Sequence, residues 1–165
     1  GVNLTALAQD ASARKKLGML EPSQALTIGP PGAPTVIEFT DPDCPYCRAL
    51  DRFWAAKAAE GKPVRRQIYF VSGIHPQAAS KAEHILCSKD QAGAFRATYA
   101  GEAPRPLVTC KEGAARVARN AEAVKAMGIS GTPTLILDGR VISGFQQAEI
   151  EAWLDEKQVP KKPPS

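Results

Sequence analysis

The chain has 165 residues, 44% of them hydrophobic and 23% charged, which suits one compact domain with a substantial core. Its formal net charge of +4 at pH 7 is scattered over short pairs such as Lys15-Lys16, Arg65-Arg66 and Lys161-Lys162, a solvated surface that argues against a nucleic-acid-binding stripe. No apolar run approaches the roughly 20 residues of a membrane span, and the chain carries no basic segment followed by an apolar one that would mark a secretory signal.

Residues 3–17 place Leu4, Leu7, Ala8 and Ala11 at helical spacing, open on Asn3 and end on basic side chains, so a short helix is expected. With the breaker Gly29-Pro30-Pro31-Gly32-Ala33-Pro34, residues 1–33 read as this helix plus a linker. The run Thr35-Val36-Ile37-Glu38-Phe39-Thr40 predicts a buried central strand. Directly after it, Asp41-Pro42-Asp43-Cys44-Pro45-Tyr46-Cys47 turns into a helix whose apolar face is Leu50, Phe53, Trp54 and Ala58. Arg66 to Val71 forms a second strand one helix later, so residues 35–71 have the form of a parallel βαβ unit. Residues of about 75–127 read as helix in three pieces, 77–88, 90–100 and 113–127. Two strands around Asp138-Gly139, within Thr134 to Ile142, make a hairpin, and a last helix over about 146–157 presents Ile150, Trp153 and Leu154. The proline-rich stretch 159–165 is expected to be a disordered tail. The order βαβ, helical insertion, ββα predicts an α/β, thioredoxin-like fold over 34–158, with its chemistry at the carboxyl end of the first strand.

Four cysteines separate into a close pair, Cys44 and Cys47, and a distant pair, Cys87 and Cys110, which fits a structural disulfide in an oxidising compartment. Counting alone does not tell the four apart. Cys44 sits where a strand enters a helix, and C-x-x-C motifs at helix N-termini lower the first sulfur's pKa to between about 3.5 and about 7.5. Cys44 is therefore expected as an exposed nucleophile, with Cys47 one turn on to resolve the mixed disulfide. Pro45 suits the first helical turn, and with Tyr46 it tunes the redox poise. A zinc site lacks a second close pair, since Cys87 and Cys110 stand singly and His75 and His84 are nine residues apart; covalent haem attachment lacks a histidine, since Arg48 follows Cys47. Neither a metal nor a cofactor is expected.

Glu38 lies six residues before Cys44 on the buried side of its strand. It reads either as an edge carboxylate reaching solvent or as an acid of raised pKa beneath the dithiol that relays the Cys47 proton, the second being preferred. In Gly131-Thr132-Pro133-Thr134, a proline stands just ahead of an apolar strand, where a loop proline is the plain reading. The functional one is a cis Thr132-Pro133 bond that turns the chain toward the dithiol and leaves Thr132 backbone groups for an extended substrate.

These segments together resemble the catalytic domain of the bacterial periplasmic disulfide isomerases DsbC and DsbG. The likeness covers about residues 34–158, through Phe39-Thr40-Asp41 before the C-P-Y-C, Cys87-Ser88-Lys89-Asp90, Gly128 to Pro133, and Gly144-Phe145. The resemblance implies that Cys44 attacks, Cys47 resolves, and Thr132 and a cis Pro133 line a substrate groove with Pro45 and Tyr46. It also implies a structural Cys87–Cys110 disulfide, a periplasmic location, unfolded or misoxidised secreted proteins as partners, and a DsbD-like membrane electron donor. Reductase or isomerase activity is the implied direction. Glu38 departs from the pattern, resembling the buried acid of thioredoxin and the DsbA oxidases, so a DsbA-like dithiol oxidase is the alternative, beside a client-binding module with a redox clasp. DsbC and DsbG carry an N-terminal dimerisation domain, whereas roughly 30 residues precede the first expected strand here, and a monomer is expected.

Overall fold

The structure, a computed structural model, describes residues 3–158, and the expected tail at 159–165 lies outside them. Helix α1 (Leu4–Lys16) leads to a short strand β1 (Leu26–Ile28), followed by β2 (Thr35–Thr40), α2 (Pro45–Ala59) and β3 (Arg65–Phe70). Helices α3 (Ala78–Cys87), α4 (Gln91–Tyr99) and α5 (Lys111–Met127) form the insertion. The chain then makes β4 (Thr134–Leu137), β5 (Arg140–Ser143) and α6 (Gln147–Lys157). The five strands form one sheet in the order β1-β3-β2-β4-β5, with β2 and β3 parallel and the other neighbours antiparallel.

The β-branched and aromatic residues of β2 and β3 alternate between the two faces of this sheet. On one face Val36, Leu135 and Leu137 pack under Leu50 and Trp54 of α2 and Trp153 and Leu154 of α6. Beside them Ile68 and Phe70 meet Ile85, Phe95 and Tyr99 from the insertion. The other face carries Phe39, Tyr69 and Ile136 against Met127 of α5. The hairpin turn uses Asp138 at φ 51° and Gly139 at φ 79°, the positive dihedrals that a two-residue turn needs to match the strands' twist.

Residues 26–28, read above as linker, are an edge strand paired antiparallel to β3, with Leu26 opposite Ile68. Three residues are too few to display a period of two, so only the neighbouring strand reveals them. The N-terminal helix forms where its caps place it, but Leu4 and Leu7 are exposed. What ties α1 down is polar: the Val141 backbone N–H, on the open edge of β5, donates to Asp10 Oδ1 at 2.7 Å.

Cys87, at the end of α3, and Cys110, the N-cap of α5, form a disulfide that holds the two helices together. Gly113, in the first turn of α5, lies against that bridge, and a Cβ there would collide with Cys87 Sγ. Gly113→Ala is therefore expected to lower the urea midpoint, because an overpacking cost of about 1–3 kcal/mol exceeds the roughly 1 kcal/mol gained in helix propensity. A raised midpoint would show that the helix can shift away from the sulfurs.

Candidate active site

The site starts where β2 ends. Asp41 ties the following turn twice, its Oδ1 accepting from the Asp43 N–H at 2.8 Å and its backbone carbonyl accepting from the Cys44 N–H at 3.1 Å. Cys44 is thereby held in extended backbone, φ −88° and ψ 122°, as the N-cap of α2, with Pro45 at the first helical position where no N–H is required. Cys47, one turn on, faces inward with the core side chains Leu50 and Trp54.

Both cysteines are free thiols, and their environments differ. Cys44 is 7% exposed, less open than the sequence led one to expect, while Cys47 is wholly buried. Only Cys44 keeps any surface for a substrate. Burial pushes the Cys47 thiol up from 9.0 to about 12. The Asp41 N–H, 3.4 Å from Cys47 Sγ, and the hydroxyls of Thr40 and Thr132 favour the thiolate, but they do not offset the lost solvation; nearby Cys44 adds a smaller upward push.

Across from the helix terminus the Thr132–Pro133 peptide is cis, and the Thr132 carbonyl lies 3.5 Å from Cys44 Sγ as acceptor of its thiol. Pro133 is buried and Thr132 half-buried. The loop is held by the Thr134 hydroxyl donating to the Gly131 carbonyl at 2.7 Å and the Gly144 N–H donating to the Pro133 carbonyl at 2.8 Å. Tyr46, 66% exposed, and Pro45 stand on the surface beside Cys44. The structure thus gathers Cys44, Cys47, Thr132, Pro133, Pro45 and Tyr46 in one place. Cys87 and Cys110 are spent in the insertion's disulfide.

Glu38 is fully buried on the helix-covered face, as its alternation required, yet its carboxylate goes elsewhere. Arg66 donates to both oxygens, from Nε at 2.9 Å and Nη2 at 2.7 Å, and Trp54 Nε1 donates to Oε1 at 3.2 Å. Arg66 also bonds Asp51 Oδ1 at 2.7 Å and lies 5.0 Å from the Phe95 ring centroid. Burial pulls the Arg66 pKa down, but the two carboxylates outweigh it and the net shift is upward. Glu38 is the ion-pair partner of Arg66, and among the described residues no hydrogen bond joins it to either sulfur.

Further groups near the sulfurs were not singled out by the sequence. Thr40, which favours the Cys47 thiolate, also bonds the Tyr99 hydroxyl at 2.9 Å, and burial keeps that phenol well above its ordinary pKa. His75 Nδ1 lies 2.5 Å from Asp41 Oδ2. Thr40 and Asp41 adjoin the motif and could have been found by following the strand; His75 and Tyr99, brought in by the βαβ crossover and the insertion, carry no local signal. No cluster of three or more His, Cys, Asp or Glu among the described residues is arranged to hold a metal ion.

A paired dithiol at a strand-to-helix junction, one sulfur marginally exposed and one wholly buried, with a cis proline opposite, defines an oxidoreductase of the thiol–disulfide exchange class. The chain belongs to the thioredoxin-like domain family, which matches residues 22–158. It is similar to a disulfide interchange protein of Neisseria gonorrhoeae, at 28% identity and a TM-score of 0.69, over 84% of this chain and 99% of that one. At lower identity it shares the fold of a thiol-disulfide exchange protein from Wolbachia pipientis, 11% identical with a TM-score of 0.73 over 94% and 99% of the two chains. It also shares the fold of a periplasmic thioredoxin-like protein from Salmonella enterica serovar Typhimurium, 18% identical with a TM-score of 0.61 over 95% and 98%. No curated protein sequence matches the chain.

The Glu38–Arg66 geometry makes a stability prediction. Arg66→Met leaves a buried carboxylate without its partner and is expected to cost about 3–5 kcal/mol in urea unfolding, whereas Glu38→Leu combined with Arg66→Met should lose clearly less. A loss in the double variant equal to the sum of the Arg66→Met and Glu38→Leu losses would mean the pair is uncoupled.

Proposed function

We propose that this protein reduces or isomerises disulfides of secreted proteins in the periplasm, as a monomer, through a mixed disulfide on Cys44. The observation that carries the reading is the asymmetry of the dithiol, a marginally accessible sulfur at a helix N-terminus above a buried thiol titrating near 12. The Cys44 thiolate attacks one sulfur of a client disulfide, the client S–S bond breaks as the Cys44–S bond forms, and the departing thiolate takes up a proton. Cys47 then loses its proton and attacks Cys44 Sγ, which releases the second client thiol and leaves Cys44 joined to Cys47. Two electrons have passed to the client, and a DsbD-like membrane donor returns them.

The high Cys47 pKa bears on direction. In the mixed disulfide Cys44 carries no charge, yet burial, the dominant cause of the shift, persists. Resolution therefore waits on deprotonation, and a waiting client has time to attack with another of its own thiols, which is isomerisation; attack by Cys47 completes reduction instead. Thr132 and Pro133, with Pro45 and Tyr46, form the edge along which the client chain lies. Glu38 is a positioning residue in this scheme, tying Trp54 of α2 to Arg66 of β3 and so seating the dithiol's helix on the sheet. The Cys87–Cys110 disulfide supports an oxidising compartment, and among the described residues no helix is long and apolar enough to cross a membrane. The narrower likeness to DsbC and DsbG belongs to this reading.

Turnover of insulin disulfides with a thiol reductant tests it. Cys47→Ala is expected to halt with the client bound to Cys44, and in the wild type the resolving step should quicken about tenfold per pH unit through neutrality, with no plateau below about pH 10, because the thiolate fraction of a group titrating near 12 grows that way. Full insulin turnover by Cys47→Ala would sink the proposal, and faster oxidation of reduced clients than reduction of insulin would reverse its direction.

A further inference from the structure

A cleft of about 590 Å³ opens between Arg48 in the first turn of α2, the start of α3 and the segment 101–107. It is lined by three cationic side chains, Arg48, Lys81 and Arg105. Arg48 is one helical turn beyond Cys44, its N–H donating to the Cys44 carbonyl at 3.1 Å, so the cleft begins within the reach of one to three extended residues from the attacking sulfur. Asp43 offsets part of this charge: it pairs with Lys81 and lies 3.5 Å from Arg48 Nη2. Arg48 Nε is held by the Pro42 carbonyl at 2.8 Å. Arg105 makes no ion pair among the described residues, although Glu102 is close along the chain. Thr98 lines the same cleft at 1% exposure, and its hydroxyl has no hydrogen-bond partner among the described residues. A buried hydroxyl left unpaired beside surplus cations is what a site for an anion with acceptor oxygens presents.

We propose that this cleft is a specificity subsite that receives the carboxylate of an Asp or Glu lying one to three residues from the client's reacting cysteine. The inference rests on the exchange reading above. Guanidinium groups match carboxylates in geometry as well as charge, and the clients of this dithiol are polypeptides, whose side-chain anions are carboxylates. Binding there aligns the client disulfide against Cys44 and makes acidic stretches preferred substrates. The carboxylates of oxidised glutathione share this chemistry and are the competing source.

Two synthetic disulfide peptides identical but for Glu or Gln two residues from the cysteine, and oxidised glutathione as a third substrate, are reacted with the reduced Cys47→Ala protein, which cannot resolve the adduct, and the rate of mixed-disulfide formation on Cys44 is read. The Glu peptide is expected to react about three- to tenfold faster than the Gln peptide at low salt, the ratio falling toward one in 0.5 M salt, a salt concentration set by roughly 4 Å screening. The ratio should also fall in Arg105→Gln and in Thr98→Val, and reach about one in Arg105→Glu, where two carboxylates face the two remaining cations. Equal rates for the two peptides, each forming the mixed disulfide, overturn the subsite while leaving the exchange reading intact. Dependence on Arg105 confined to oxidised glutathione overturns the assignment to clients. Absence of a mixed disulfide with every substrate removes the exchange reading and this one with it.

Discussion

Burying Cys47 beneath the first turn of α2 is the constraint from which the rest of the site follows. A thiolate has no solvation there, and the donors within reach, the Asp41 N–H and the hydroxyls of Thr40 and Thr132, do not compensate. The two thiols are therefore unequal, Cys44 marginally exposed at the helix terminus and Cys47 buried with its thiol pushed up to about 12, and the proposed mechanism rests on that inequality. The turn from Asp41 to Cys44 and the loop from Gly131 to Thr134 are each closed by their own hydrogen bonds, which sets the Thr132 carbonyl against Cys44 without help from a ligand.

Beneath the dithiol the sheet buries an ion pair. Glu38 of β2 and Arg66 of β3 project from the same face, and Trp54 and Asp51 of α2 complete the network. Buried pairs are poor sources of net stability, but one whose members come from two strands and the helix above them specifies how those elements register. It joins the two cores on this face, with Leu50 and Trp54 on one side and Phe95 and Tyr99 on the other. Glu38, six residues before the first cysteine, is held in this network, and the groups bonding Cys47 are the Asp41 N–H and the hydroxyls of Thr40 and Thr132.

Much of this was legible in the sequence because the signals are local. The β-branched run Thr35 to Thr40, the apolar face of Leu50, Phe53 and Trp54, the Asp138-Gly139 turn and the C-P-Y-C each predict their element from spacing alone. What stayed hidden depends on residues far apart in the chain. Arg66 claims Glu38 across the sheet, His75 reaches Asp41 from 34 positions away, and Leu26–Ile28 becomes a strand only against β3. Leu4 and Leu7 show the converse, a helical spacing of apolar residues that meets no core. Near-burial of Cys44 was equally invisible, since it depends on the cis-proline loop folding back from residue 132.

Three features border the dithiol's helix, the Thr132–Pro133 edge, the exposed Tyr46, and the basic cleft beyond Arg48, and the disulfide-braced insertion supplies the cleft's far wall; in the proposed exchange all three serve client recognition. All three matter only if Cys44 is the sulfur that meets the client. Alkylation of the fully reduced protein with iodoacetamide from pH 5 to pH 10, mapped by mass spectrometry at each time point, tests that directly. The account predicts modification of Cys44 at every pH, with Cys47 protected until the protein is unfolded. Modification of Cys47 in the folded protein at a rate equal to or above that of Cys44 near neutral pH would contradict it.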